Sequence, residues 1–382
     1  MKKPLALAVA LAGTAIALVA VGAGAAANEH AAAAAVCPGA AFGSARCHIL
    51  VTVDARGNPD ASNSPTGLSP ATIKSVYGFT TSSTAGAGKT IAIVDAYDDP
   101  SAESDLGVFS QQYGLPACTT ANGCFSKVDQ NGGSSYPRAD AGWSLEISLD
   151  VQWAHAIAPG AKILLVEAAS NSFANLLAAE DYAKAHAQYV SNSWGASEFS
   201  GEASYDSHFA ASGVSFFVSS GDAGLPAEYP SASPKVISVG GTTLHFSNSG
   251  AFLSETGWSS GGGGCSAYES AASAQSSFGG YGQVGCGGKR ATPDVSLDAD
   301  PASGVSVYDS VRYQGKRGWF TVGGTSASSP MWAGRSAAQG AVVNAAYVYG
   351  TTIAYRDITS GSNGAPCLVG FDLCSGRGSW TG

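Results

Sequence analysis

The chain has 382 residues, of which 45% are hydrophobic and only 12% charged, against about 25% charged in an average globular protein. Its 50 glycines and 16 prolines argue against a helical bundle, yet together they stay below the roughly 25–30% typical of disordered chains. Nineteen basic and 28 acidic residues give a formal charge of −9, which repels phosphate backbones and anionic membrane surfaces and so argues against a nucleic-acid partner.

Met1-Lys2-Lys3 opens the chain, followed by an uncharged run from Pro4 to Ala27 that ends in three alanines. This is the pattern of a secretory signal peptide over 1–27, so the expected location is extracellular, with no membrane contact once the leader is removed. Residues 28–67 are rich in Ala, Gly and Asn and read as a short pro-segment or linker without a core of its own. Order is expected from Leu68 onward, where Ser69 caps a helix with Pro70 at its first position, running through Ile73 to Tyr77. A single domain, 68–382, follows.

Within it, short apolar runs alternate with helical segments. Thr90–Val94, Ala161–Glu167, Tyr189–Ser193, Val214–Ser219 and Val236–Val239 read as strands buried on both faces. Ser101–Tyr113, Ser144–Ile157, Ser172–Ala187 and Tyr205–Ser212 read as helices. The expected fold class is α/β, a doubly wound, mainly parallel sheet with helices on both faces, its site at the carboxyl ends of the strands. Eight cysteines in an exported chain imply disulfides, and spacing offers four local couples: Cys37 with Cys47, Cys118 with Cys124, Cys265 with Cys286, and Cys367 with Cys374. The third couple would close the glycine-rich stretch 257–288 into a surface loop.

Three segments carry chemistry. In Trp143–Trp153, Glu146 and Asp150 stand four residues apart, so a helix stacks them on one face; burial and mutual repulsion then raise at least one pKa, as an acid/base pair requires. Asp222 lies in Ser-Gly-Asp-Ala-Gly directly after a predicted strand, on the rim where a parallel sheet gathers its site. Gly323-Gly324-Thr325-Ser326-Ala327-Ser328-Ser329-Pro330 places a serine between a tight glycine turn and a run of small residues suited to start a buried helix, which makes Ser326 a candidate nucleophile. None of the six histidines opens a helix in a manner that suits a base for Ser326; His155, in an apolar run, reads as a packed or capping residue.

Taken in order, the Glu-x-x-x-Asp helix leading into Ala-Pro-Gly-Ala, then Ser-Asn-Ser-Trp-Gly, Ser-Gly-Asp-x-Gly and Gly-Thr-Ser-Ala-Ser-x-Pro resemble the sedolisin family of serine-carboxyl peptidases, over about Leu68 to the C-terminus. The resemblance implies a subtilisin-like fold and a secreted endopeptidase that hydrolyses polypeptides in acid through an acyl-enzyme. It implies Ser326 as nucleophile, Glu146 as general base, Asp150 orienting Glu146, and Asp222 as side-chain donor in the oxyanion hole. It also implies Ser191, Ser193, Trp194 and Gly195 as the edge that holds an extended substrate by strand addition. A structural calcium ion is implied at Asp357, Ile358, Leu368, Gly370 and Asp372, with Leu368 two residues before Gly370 where the family usually has glycine. Family members carry a folded propeptide of well over a hundred residues, far longer than 28–67, and the stretch after Trp332 is short and polar for the buried helix expected behind the nucleophile. A monomer is expected. The alternatives are a subtilisin-type protease with Asp95 and His155 as acid and base, or an inactive peptide-binding protein that keeps the fold.

Overall fold

The computed structural model describes residues 32–37, 39–350 and 354–381; the expected signal peptide lies outside them. Chain order begins well before Leu68, with four short strands: β1 (Ala33–Ala35), β2 (Arg46–Cys47), β3 (Leu50–Thr52) and β4 (Ala61–Ser62). Ser69 then caps α1 (Pro70–Tyr77), its hydroxyl accepting the Thr72 N–H at 3.2 Å.

The alternating pattern produces β5 (Thr90–Ala96), α2 (Ala102–Tyr113), β6 (Phe125–Asp129), α3 (Ala141–Ile157), β7 (Lys162–Ala168), α4 (Phe173–His186), β8 (Tyr189–Asn192), β9 (Trp194–Ser197), β10 (Ser215–Ser219), β11 (Glu228–Tyr229) and β12 (Ile237–Phe246). Strands β6, β7, β5, β8, β10 and β12 lie side by side, each parallel to the next, and Val295–Asp298 continues the parallel order beyond β12. This is the mainly parallel α/β sheet that the hydrophobic runs predict. The helix expected over 205–212 is instead a 3₁₀ helix over Glu202–Phe209, started where the Glu202 carboxylate accepts the Phe199 N–H at 2.7 Å.

Helix α3 is capped by Asp140, whose carboxylate accepts the Gly142 and Trp143 N–H groups, and every residue from Gly142 to Ile157 is buried. Such a helix is a core element rather than an amphipathic cover. It packs against the helix Thr325–Gln339, buried from Thr325 to Ala337. The expectation of a short, polar helix behind Ser326 is therefore corrected: Arg335, its one charged residue, lies over the Trp380 ring at 4.2 Å and covers apolar surface with its stem.

All four cysteine couples form disulfides as spaced. The glycine-rich stretch 257–288 is more than a surface loop, because Gly264–Ser270 pairs antiparallel with Lys289–Thr292. Its Gly262 lies so close to the Ser220 carbonyl oxygen that a Cβ would fall 2.1 Å away, so only glycine lets the backbone pass the rim of the sheet there.

The segment 28–67, expected to lack order, also needs correction over its described part. Too poor in large side chains to form a core, it joins the domain's core through pairing instead. β1 pairs with β3, β3 and β4 pair with Lys316–Gly323, and β2 pairs with β9. Val36, Cys37, Ala45, Cys47, Ile49 and Val51 are buried in the main core.

Candidate active site

The helix that carries Ser326 starts after Gly324, held at φ +99°, where a Cβ would lie 2.2 Å from the His48 carbonyl oxygen. Glycine is required there both for the backbone conformation and for that close approach. Ser326 is fully buried, and its hydroxyl donates to Glu146 Oε2 at 2.9 Å. Asp150, one turn along α3, accepts from the Ser193 hydroxyl at 2.9 Å. Each carboxyl keeps one buried oxygen, Glu146 Oε1 and Asp150 Oδ2, with no other residue bonded to it.

Burial pushes both carboxyls well above their ordinary range; for Glu146 the Asp150 and Asp95 charges add to it, whereas its bond from Ser326 favours the ionised form. Asp95, at the carboxyl end of β5, is a third buried carboxyl whose charge acts on them. It is fully buried with neither oxygen bonded, and burial, then Asp150 and Glu167, hold it protonated. Of the three, Glu146 and Asp150 accept from hydroxyl donors, which favour the ionised form, and Asp95 has none.

Asp222 follows β10, as expected. Its Oδ1 accepts the Thr325 N–H at 2.7 Å and the Thr325 hydroxyl at 2.9 Å, which fixes it beside Ser326. Its Oδ2 is buried with no partner, and burial pushes its pKa up to about 6 against the opposing charge of His48 and the Thr325 bonds. Below that pH, Asp222 is a neutral acid with an O–H to donate.

The predicted substrate edge divides in two. Ser193 and Gly195 lie on it; Ser191 and the Trp194 side chain do not. The Ser191 hydroxyl bonds that of Ser329 at 2.9 Å inside the core, and the Trp194 indole is buried, donating to the Val94 carbonyl at 2.9 Å. What the edge offers is backbone, and the protein's own β2 already pairs with it, Arg46 opposite Gly195 and Cys47 opposite Trp194. Next in line, the His48 N–H donates to the Ser193 carbonyl at 3.0 Å, and the His48 carbonyl accepts the Ser326 N–H at 3.1 Å. The His48 ring is buried between the Ser219 hydroxyl, 2.8 Å from Nδ1, and Glu228 Oε2, 3.0 Å from Nε2; Arg46 pairs with the other Glu228 oxygen. Burial pushes Glu228 up, but the His48 bond and the His48 and Arg46 charges outweigh it and hold it below the usual glutamate range.

Sequence reasoning missed Arg46, His48, Ser219 and Glu228, which belong to no motif. The signal within reach was Ile49-Leu-Val-Thr-Val53, a strand-like run inside a segment read as linker. His155 sits at the last turn of α3, bonded to the Pro116 carbonyl at 2.9 Å, so it is a packed residue and no base for Ser326.

The calcium residues gather in one loop, but not as an ion cage. The Gly370 N–H donates to Asp357, and the Asp372 carboxylate accepts from the Leu368, Cys374 and Ser375 N–H groups and the Ser375 hydroxyl. Four hydrogen bonds use the roughly four lone-pair sites of Asp372, and at Leu368 and Gly370 the loop turns amides, not carbonyls, toward the carboxylates. Ile358 is buried beside Cys367 and Cys374. As arranged, this loop does not fit the ion.

The sequence profile of the subtilase family matches residues 130–347. Kumamolisin from Bacillus sp. (strain MN-32) is 30% identical over 387 residues, covering 88% of this chain and 66% of the relative. Sedolisin from Pseudomonas sp. (strain 101) is 37% identical over 149 residues, 33% of this chain and 24% of that protein. The chain thus spans less than two thirds of the length of these curated relatives. Among solved structures, Pseudomonas sedolisin, a serine-carboxyl proteinase complexed with two molecules of pseudo-iodotyrostatin, superposes with a TM-score of 0.69 at 27% identity, covering 83% of this chain and 96% of the other.

Proposed function

The chain belongs to the sedolisin family within the subtilases, and from that premise we propose that it is an exported, acid-acting serine endopeptidase. The observation that carries this reading is the 2.9 Å hydrogen bond from the Ser326 hydroxyl to a buried Glu146 that is backed by Asp150. A carboxylate so placed takes the serine proton as Oγ attacks a peptide carbonyl, and returns it to the leaving amine. The Ser326 N–H and the protonated Asp222 face the oxygen that becomes negative. An extended polypeptide is held by main-chain bonds to Ser193 and Gly195. Export is supported by the leader-like 1–27 and by four disulfides, which persist in oxidising compartments. No step runs through calcium.

Hydrolysis of a denatured protein between pH 3 and 8 tests the reading, with Ser326→Ala as control. We expect a bell-shaped profile with its maximum below about pH 6, where Glu146 is ionised and Asp222 is not, and no turnover in Ser326→Ala. A maximum above pH 7 rejects the carboxylate mechanism, since only a histidine base loses activity as pH falls below about 6.5. An inactive peptide-binding protein would leave Ser326 unlabelled by a fluorophosphonate or a peptide aldehyde.

A further inference from the structure

The loop ahead of β6 and the end of α3 bring together three groups that the peptidase chemistry does not use. Cys118 and Cys124 are joined six positions apart, just before Phe125 opens β6. His155 lies in the last turn of α3 and is fully buried. One of its ring nitrogens and the two sulfurs lie within 4.8 Å of one another, and no other set of three histidine, cysteine or carboxylate side chains among the described residues converges in this way. The Nε2–H donates to the Pro116 carbonyl at 2.9 Å, so the lone pair sits on Nδ1, which is buried with no hydrogen-bond partner. Buried polar atoms are almost always paired, and a disulfide has no proton to offer this one. Burial lowers the pKa of the ring and the Lys74 charge adds to it, against the Pro116 bond, so the imidazole is neutral and free to act as a ligand.

We propose that, in the dithiol form of the 118–124 pair, Cys118 Sγ, Cys124 Sγ and His155 Nδ1 hold a thiophilic divalent cation of the zinc type. Zinc takes cysteine sulfur at about 2.3 Å and histidine nitrogen at about 2.0–2.1 Å in tetrahedral sites. Opening the disulfide lets the sulfurs separate to the roughly 3.8 Å that two such bonds require, with the ring already beside them. Thiolate and imidazole ligands together select zinc over calcium or magnesium. Two thiolates also cancel the charge of the ion, so the buried site stays neutral. Cys118 is buried and Cys124 only partly so, which leaves the ion an entry from solvent and a fourth position for water. The chemistry balances with an external thiol as reductant. Two thiols give their hydrogens to Cys118 and Cys124 and end as one disulfide of their own. The cation then displaces both hydrogens as protons, forming two metal–sulfur bonds and one metal–nitrogen bond. Ion and disulfide are alternatives: oxidation of the pair expels the ion, and the ion shields the pair from oxidation. Either one closes the loop, but only the ion ties it to α3, the helix that carries Glu146 and Asp150.

The test reduces the full chain with a phosphine under nitrogen at neutral pH and titrates it with Co²⁺, then Zn²⁺, while far-ultraviolet circular dichroism follows the fold. We expect one cobalt per chain, seen as the visible bands of a tetrahedral ion and a sulfur-to-cobalt charge-transfer band, bleached by zinc and absent from the oxidised protein. The Cys118→Ser/Cys124→Ser variant should show no bands, whereas Cys265→Ser/Cys286→Ser should keep them. His155→Gln retains a donor for the Pro116 carbonyl and lacks Nδ1. It should therefore fold and bind cobalt at least about 100-fold more weakly, beyond the roughly 10–100-fold that follows loss of a residue that merely orients a ligand. The inference is overturned by a folded, reduced protein without cobalt bands, or by bands that survive loss of Cys118 and Cys124 or vanish with Cys265 and Cys286. Unchanged affinity in His155→Gln overturns it equally. So does unfolding on reduction, since the three ligands would then not be held together.

Discussion

Asp222 and Ser193 are the residues whose chemistry is most exposed to test. The Asp222 pKa of about 6 has burial as its main cause, and its oxyanion role needs the protonated form. Rising pH therefore removes the donor as it passes about 6. Asp222→Asn keeps an N–H donor that does not titrate, so we expect the alkaline limb of kcat/KM to move upward and the maximal rate to fall by less than the roughly 10²–10³ that follows complete loss of one oxyanion donor. An unmoved alkaline limb in a folded variant would remove Asp222 from that role. Ser193→Ala takes away the hydroxyl donor to Asp150 without touching the backbone edge. We expect kcat to fall about tenfold with KM little changed and the acid limb moved to higher pH, since a pair with one donor fewer holds its charge less readily. At this scale the sequence was legible where residues stand in a motif. Glu146, Asp150, Asp222 and Ser326 come together as read, whereas His48 and Glu228 stand 180 positions apart and meet only in the fold.

Helix α3 and strands β5, β7, β8 and β10 were legible for the same reason that they are stable, since each buries a continuous run; β6 and β9, only partly buried, were not read. The N-terminal strands were not, because Ala33–Ala35 and Arg46–Cys47 have little to bury and owe their order to partners far along the chain. That dependence makes β2 sensitive to acid. Glu228 is held below the usual glutamate range, so its contribution to holding Arg46 and His48 is present above its ordinary pKa of about 4.3 and is lost as pH falls through the depressed value. Protection factors of the Arg46–His48 amides, from hydrogen exchange corrected for intrinsic rates, should be lower at pH 3 than at pH 6; equal protection would mean that Glu228 does not hold the strand. The C-terminal loop carries a different expectation. With Asp372 fully hydrogen-bonded, the melting temperature at pH 6 should be the same in calcium and in chelator. A rise of several degrees with calcium would show that the loop opens its amide bonds to admit the ion.

Several carboxyls are buried among the described residues. Burial is the main cause that pushes Glu167 and Asp309 up to about 9 and Glu180 up to about 8. The folded state thus binds protons that the unfolded chain releases near pH 4, so this contribution to stability is fully present in acid and is lost as pH rises from about 4 toward 9. We expect the melting temperature to be highest in acid and to fall by several degrees toward pH 9, as read by calorimetry across that range. A flat profile would mean that these groups are paired or hydrated in solution. The Cys37–Cys47 disulfide adds a last consequence, because it closes entirely on the amino side of His48. It makes residues 37–47 a small ring with strand β2 already shaped, so less chain entropy is lost when that strand pairs with β9. Opening that ring with a reductant should accordingly lower the protection of Arg46 and Cys47 against hydrogen exchange while the strands of the central sheet keep theirs.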